Sequence, residues 1–385
     1  MKKNSIALGI VTAAMVALVG CNGFFDKDNT PTPTPLNNFV PQERLALLWS
    51  SNPTAGLNGD YLKLVPAITS HTIITASENG HVASVDKATG KLLWQVQASN
   101  SITAGPAADD EYVVLSSRAG IVSALNCKNG HLLWQYALPS ETLSPPAVGF
   151  GMVIVKTISG EVVAINAATG HKAWTYQITE PNLILRGGSQ PQITRHAVVL
   201  GFSNGKIVKL SLRQGSLLWQ QTIAIPTGGF AIERMVDINA NPVVQDEDIY
   251  SVTYQGKIAK LSLRTGHQDW ARNLSSFTGM SINGQTVVVT DTNSLVWAFN
   301  ATNGDVRWKQ DLLKFRNITA PASLDNNIIV GDQEGYLHVI SKADGHQVAR
   351  VKVSRAGILS TPKVDNDVIY VLTKDGYLAA YRLSR

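Results

Sequence analysis

A repeat of about 40 residues runs through most of this 385-residue chain and limits what the chain can fold into. A typical copy opens with a glycine, has a second glycine ten residues later and has a tryptophan four residues after that. The opening position recurs eight times, at Gly80, Gly120, Gly160, Gly205, Gly256, Ser294, Gly335 and Gly376. A proline lies fourteen residues before it in every copy but one, where Met280 stands, and Ala349 is the one exception among the tryptophans. A register this constant indicates a stack of equivalent structural units.

Each period has room for four short β-like stretches, so the repeat predicts an all-β fold, an eight-bladed β-propeller with four antiparallel strands per blade. The proline opens the innermost strand, where a missing backbone donor is tolerated. The eighth copy ends at Arg385 before its fourth strand, whereas Leu47-Leu48-Trp49 has no preceding strands of its own. We therefore expect an N-terminal strand to complete the last blade and close the ring, which makes residues 44–385 one domain.

The first 20 residues predict a signal peptide, because Lys2 and Lys3 precede an apolar run that is too short to span a bilayer. The run ends in Leu-Val-Gly-Cys, which resembles a bacterial lipoprotein box. This resemblance implies a lipid anchor on Cys21, and Asn22 in place of an aspartate implies sorting to the outer membrane, with the body facing the periplasm. Residues 21–43 are predicted to hold the acylated cysteine and an extended Pro/Thr-rich linker.

Composition excludes several classes of function. The net charge of +5 is spread along the chain, so no nucleic-acid partner is expected. With Cys21 acylated, Cys127 is the one cysteine left, which excludes a disulfide or a paired-cysteine metal site within the chain. The eight histidines have no metal-ligand spacing, and neither a phosphate loop nor a Gly-x-Ser-x-Gly motif occurs. We expect neither a metal nor a cofactor.

An enzyme remains to be considered because the repeat resembles the tryptophan-docked repeat of quinoprotein alcohol dehydrogenases. Those enzymes hold pyrroloquinoline quinone over a calcium ion, and they carry adjacent cysteines and additional loops that contribute an aspartate base. This sequence has one free cysteine and no adjacent pair. We therefore predict that the chain is not an enzyme.

The links between blades break the repeat at two neighbouring places. The link from tryptophan to the next proline spans 12 residues after Trp94 and after Trp134, but 17 after Trp174 and 23 after Trp219. All such links join an outer strand to an inner strand, so they emerge on one rim of the ring. The two long links contain PNLILRGG and GGFAIERMVDIN, and aliphatic residues beside an arginine are typical of an interface hot spot. The alternative is that these aliphatic residues fill a gap in the core.

Taken with the lipoprotein signal, the eight blades and the closing strand, these loops make the chain resemble the BamB family, lipoproteins of the outer-membrane β-barrel assembly complex. In that family a Leu-x-Leu-Arg-Gly segment and an Asp-x-Asp pair bind the periplasmic POTRA domains of BamA. The resemblance implies that Leu183, Leu185 and Arg186 bind this partner, with Asp237 either contacting it or orienting the arginine. Asn239 departs from the second aspartate of the family, although an asparagine still accepts hydrogen bonds.

We therefore predict a non-catalytic scaffold that binds BamA and assists the folding and insertion of β-barrel proteins. Whether nascent outer-membrane proteins contact the chain directly stays open. A generic periplasmic propeller that binds peptide or glycan is the alternative, and a quinoprotein dehydrogenase is a third and weaker one.

Overall fold

The structure is a computed structural model that describes residues 30–57, 62–99 and 101–384. The predicted signal peptide, residues 1–20, and the predicted anchor Cys21 lie outside the described residues. Residues from Thr34 onward form one compact unit, and residues 30–33, which belong to a separate N-terminal unit, contain no helix or strand. Within the described ranges no helix is both long and apolar enough to cross a membrane.

Short strands make up almost all of the regular structure. Two strands precede the first blade, β1 (Arg44–Ser51) and β2 (Lys63–Leu64). Blades 1 and 2 comprise β3 (Ala67–Ile68), β4 (Thr72–Ala76), β5 (His81–Asp86), β6 (Leu92–Gln97), β7 (Ile102–Ala108), β8 (Tyr112–Ser117), β9 (Ile121–Asn126) and β10 (Leu132–Ala137). Blades 3 and 4 comprise β11 (Ala147–Gly149), β12 (Met152–Lys156), β13 (Glu161–Asn166), β14 (Lys172–Gln177), β15 (Gln192–Ile193), β16 (Ala197–Gly201), β17 (Lys206–Ser211) and β18 (Leu217–Thr222).

The second half of the ring repeats this arrangement. Blades 5 and 6 comprise β19 (Val243–Gln245), β20 (Asp248–Val252), β21 (Gly256–Ser262), β22 (Gln268–Leu274), β23 (Gly279–Asn283), β24 (Thr286–Thr290), β25 (Val296–Asn300) and β26 (Val306–Gln310). Blades 7 and 8 comprise β27 (Ala322–Leu324), β28 (Asn327–Gly331), β29 (Tyr336–Ser341), β30 (Gln347–Lys352), β31 (Lys363–Asp365), β32 (Val368–Leu372) and β33 (Leu378–Ser384). A 3-10 helix (Ile232–Arg234) lies between blades 4 and 5.

The pairing of the strands confirms the predicted eight-bladed propeller. Four successive strands pair antiparallel in each of blades 1 to 7. In blade 8 the strand order is β1-β33-β32-β31, and Arg44 lies opposite Ser384, so the N-terminal strand supplies the missing outer strand and closes the ring. One addition was not predicted: β2 pairs parallel with β7 as a fifth strand of blade 2.

The apolar core lies between neighbouring blades. The second strands are buried at nearly every residue, as in β12, because both of their faces pack against another blade. One cluster joins Met152 and Ile154 of blade 3 to Val198 and Leu200 of blade 4, and equivalent clusters recur around the ring. Because each blade buries its faces only against its neighbours, the ring must close for the first and last blades to be covered.

The tryptophans join each blade to the next. The indole Nε1 of Trp94 in blade 1 donates to the Cys127 carbonyl of blade 2, at 2.9 Å, and the ring lies over Gly130. A Cβ at Gly130 would approach the ring to 2.7 Å, and its φ of 73° favours glycine in any case. The same contact recurs between successive blades, from Trp49 to Gly90, Trp134 to Gly170, Trp174 to Gly215, Trp219 to Gly266, Trp270 to Gly304 and Trp308 to Gly345.

Residues 34–43, which we call the strap, lie along the outside of blade 7 before β1 begins. Thr34 N–H donates to the Lys314 carbonyl at 3.0 Å, and the guanidinium of Arg350 lies 5.4 Å from the ring centre of Phe39. Leu36 packs against a core cluster of blades 6 and 7. The predicted linker, residues 21–43, therefore overlaps the compact unit over the length of the strap.

Candidate functional site

The two enlarged links are loop A, residues 178–191 between β14 and β15, and loop B, residues 223–242 between β18 and β19. Both join the outer strand of one blade to the inner strand of the next, so they lie on the same rim of the ring, which we call the loop rim. The opposite rim carries the turns between third and fourth strands and is called the turn rim.

The structure places the five predicted site residues in two different environments. Leu183 is 45% exposed and Arg186 is also exposed, whereas Leu185 is half-buried. Asp237 and Asn239 in loop B are only 1% and 3% exposed. Around Arg186 the surface is therefore formed by loop A, and the two polar residues of loop B lie beneath it.

Asp237 holds the backbone of loop A. Its Oδ1 accepts a hydrogen bond from the Leu185 N–H at 2.9 Å. Burial raises the pKa of Asp237, while the bond from Leu185 and the nearby Lys156 lower it. The carboxylate thus fixes the backbone of the residue that precedes Arg186.

Asn239 also faces loop A from below. Its Oδ1 lies 3.3 Å from Lys63 Nζ, and its Nδ2 lies 3.5 Å from the Arg186 carbonyl oxygen. The Lys63 amine also donates to the backbone carbonyl of Asn239, at 2.5 Å, and to the Gly188 carbonyl, at 3.0 Å. Lys63, Asn239 and loop A are therefore tied together at one point.

The two glycines that follow Arg186 permit this close approach. A Cβ at Gly187 would lie 3.1 Å from Asn239 Oδ1, and the φ of 113° at this position strongly favours glycine. A Cβ at Gly188 would lie 2.7 Å from the hydroxyl of Ser144. Glycine at both positions lets loop B and its neighbours contact the backbone of loop A directly.

Two lysines support the loops, Lys63, which is half-buried, and Lys156, which is buried, and the sequence analysis did not identify either. Loss of solvation, together with the nearby like charge of Lys156, lowers the pKa of Lys63 to about 7. Burial also lowers the pKa of Lys156 to about 8, while Glu180 and Asp237 oppose this shift. Lys156 Nζ donates to the Gly201 carbonyl at 2.5 Å. The sequence did contain a signal for Lys156, because a charged residue at the end of a buried second strand is unusual. It contained none for Lys63, because this residue precedes the first repeat.

Loop B contributes apolar surface of its own. Ile225 and Phe230 are each 73% exposed and Ile232 is 61% exposed. The carboxylate of Glu233 accepts hydrogen bonds from the N–H groups of Gly229 and Phe230, at 2.8 and 3.1 Å, which fixes the tip of the loop. The sequence pattern identified this segment as unusual without singling out these three residues.

Arg186 lies where two cavities meet. The central cavity along the ring axis has a volume of about 1290 Å³, and its lining includes Leu185 and Arg186. A shallower groove of about 380 Å³ is lined by residues that include Ile158, Ile184 and Arg186. In the described part of the chain, no group of three or more His, Cys, Asp or Glu side chains is arranged to hold a metal ion.

Comparison with known proteins identifies relatives of this chain. The model of a family described as outer membrane protein assembly factor BamB matches residues 78–310 and 293–384. A protein of that name from Alkalilimnicola ehrlichii is 46% identical over 374 residues, which cover 97% of this chain and 96% of the relative. One from Legionella pneumophila is 44% identical over 353 residues, which cover 91% and 92%. The crystal structure of BamB from Moraxella catarrhalis is 26% identical, with a TM-score of 0.81 over 88% of this chain and 100% of that one.

Proposed function

Because this chain belongs to the BamB family of outer membrane protein assembly factors, we propose that its loop rim binds the periplasmic POTRA domains of BamA. In this role the chain is a non-catalytic scaffold of the outer-membrane protein assembly machinery, and it assists the folding and insertion of β-barrel proteins. Loop A provides the main contact, with Leu183 as an apolar anchor and Arg186 as a charge-assisted hydrogen-bond donor.

The fixed backbone of loop A is the observation that carries this proposal. Side chains from other segments bond to it at Leu185, Gly188 and Gln190, the last through a 2.8 Å bond from the Gln190 N–H to Asn241 Oδ1. A loop that is already ordered loses little conformational entropy when it binds, so more of its contact energy contributes to affinity. The repeat does not require such an ordered surface loop, which favours a binding role.

The predicted lipid anchor fits the same proposal. Acylation of Cys21 would attach the chain to the outer membrane, with the propeller in the periplasm. Residues 21–33 precede the compact unit. A linker of 13 residues with the extended geometry expected of a Pro/Thr-rich sequence would span about 40 Å, at about 3.1 Å per residue. A tether of this length keeps the loop rim close to membrane-bound partners.

The test is a titration of purified BamA periplasmic domains against the detergent-solubilised full chain and its Arg186→Ala variant. If Arg186 is a hot spot, the variant should lose about 2 kcal/mol of binding free energy, which is roughly a 30-fold rise in Kd. Arg213→Ala is the matched control, because Arg213 is an exposed arginine on the turn rim. This variant should bind the BamA domains as tightly as the wild type does. Equal affinities for all three proteins would contradict the proposed site. If none of the proteins binds the BamA domains, the alternative is a propeller that binds peptide or glycan, and the central cavity is the place to test it.

A further inference from the structure

Lys63 connects the ring-closing segment of the chain to the loop rim. It lies on β2, which follows the closing strand β1 and pairs parallel with β7, Lys63 opposite Ala104. From there its amine reaches the Gly188 carbonyl of loop A and both oxygens of Asn239 in loop B. One side chain from outside the repeat thus bridges the two enlarged loops.

The number of hydrogen-bond acceptors around the Lys63 amine equals the number of N–H donors on a protonated lysine. An ammonium group carries three N–H donors, and three oxygens lie within hydrogen-bonding distance of Lys63 Nζ. Lys63 is half-buried, and withdrawing a charged group from water without a paired counter-charge is costly, whereas an apolar side chain of similar size would cost less. The side chain that bonds directly to this amine, Asn239, is uncharged, and Lys156 nearby is a like charge. Closing the ring does not require such a group, so its three bonds to the loops need another explanation.

We propose that Lys63 is a positioning residue for partner binding, which holds loop A on loop B so that Leu183 and Arg186 are presented in one fixed arrangement. This inference rests on the proposed function of the loop rim. Without the amine, the Gly188 carbonyl loses its tie to loop B, and the bonds from loop B to loop A through Asp237, Asn239 and Asn241 have to hold the segment without it. Looser loops pay an ordering cost when they bind, which weakens affinity.

The experiment compares Lys63→Met with Lys87→Met in the full-length chain. Lys87 is a matched control because its amine also joins two segments, bonding to the Thr69 carbonyl at 3.2 Å and to Asp365 at 2.6 Å, but on the turn rim. We expect Lys63→Met to raise the Kd for BamA periplasmic domains about tenfold, and Lys87→Met to leave it unchanged. Hydrogen exchange at the Leu185 and Gln190 amides should be faster in Lys63→Met alone.

Two further variants separate positioning from general stability. In a double-mutant cycle with Arg186→Ala, the loss caused by Lys63→Met should be smaller than in the wild-type background, because Lys63 acts through the loop that carries Arg186. Asn239→Asp keeps the acceptors and supplies a counter-charge, so it should retain binding. Lys63→Gln replaces Lys63→Met if the methionine variant does not fold.

The outcomes distinguish this inference from the proposed function. If Arg186→Ala weakens binding but Lys63→Met binds as the wild type does, the assignment of Lys63 is wrong and the proposed function stands. Additive effects in the cycle also overturn the assignment. If Arg186→Ala binds as the wild type does, the proposed function is wrong. Hydrogen exchange then tests Lys63 by itself: unchanged amide exchange in loop A of Lys63→Met would show that the lysine does not order the loop.

Discussion

Among the residues that the structure describes, Arg316 is the largest fully buried side chain, with 2% of its side chain exposed. Its guanidinium bonds to Asp332 at 2.7 Å, to Glu334 at 2.6 Å and to the Thr34 carbonyl of the strap at 3.0 Å. Asp332 is fully buried and also bonds to His338, whose pKa is lowered because the ring is buried. A charged group at this depth is tolerated because each of its nitrogens has an acceptor.

Asp332→Ala should therefore destabilise the propeller severely. Removal of the carboxylate leaves the Arg316 charge buried with too few partners, which costs about 3 to 5 kcal/mol. Equilibrium urea unfolding of the variant and the wild type measures the difference. Asp344→Ala is the matched control, because the pair of Asp344 with His346 is exposed and should be worth less than about 1 kcal/mol. Similar losses in the two variants would contradict this account of the Arg316 cluster.

The candidate site was only partly predictable at this scale. The broken repeat located loop A, and Leu183 and Arg186 are at the surface as a binding role requires. The burial of Asp237 and Asn239 could not be read from the sequence, because it depends on how two loops from different blades pack together. Lys63 is separated from Asn239 by 176 residues, and no periodic signal marks a contact between a side chain and a backbone carbonyl.

At the scale of strands and turns, the exceptions to the repeat have physical reasons. Each docking tryptophan lies on the turn glycine of the following blade, between its third and fourth strands. Blade 8 has no such turn, because its third strand ends the chain and its fourth strand begins the propeller. Ala349 of blade 7 therefore has no turn glycine to cover. Met280, which replaces a proline, pairs with Val289 as a regular residue of β23.

The tryptophan contact between blades can be tested with Trp134 and Gly170. Trp134→Ala removes a half-buried ring and the 2.7 Å bond to the Ala167 carbonyl, and should cost roughly 3 kcal/mol of unfolding free energy. Urea unfolding gives the value, and Leu133→Ala, at an exposed neighbour, should change it by less than about 0.5 kcal/mol. Gly170→Ala places a Cβ 2.7 Å from the ring, so its cost should shrink in the Trp134→Ala background. An unchanged cost would show that the ring does not press on this turn.

At the scale of the whole molecule, the strap determines where the N-terminal segment joins the propeller. Residues 311–321 link the outer strand of blade 6 to the inner strand of blade 7, so they lie on the loop rim with loops A and B. Thr34 bonds to Lys314 and Arg316 of that link. The predicted tether therefore joins the compact unit on the rim that carries the candidate site. The repeat predicted the ring and its closure but not the strap, because a Pro/Thr-rich segment without periodicity gives no sign of the surface it covers.

Deleting the strap tests whether it is part of the folded unit. A chain that starts at Arg44 loses the Thr34 carbonyl that Arg316 bonds to, the packing of Leu36 and the contact of Phe39 with Arg350. A hydrogen bond to a charged group contributes about 1.5 to 3 kcal/mol, so the shortened chain should unfold at a clearly lower urea concentration. A chain that starts at Thr34 keeps these contacts and should match the stability of the full chain. If the chains starting at Thr34 and Arg44 unfold at the same urea concentration, the strap contributes no stability. The bonds of Thr34 to Lys314 and Arg316 then do not hold the strap on the loop rim.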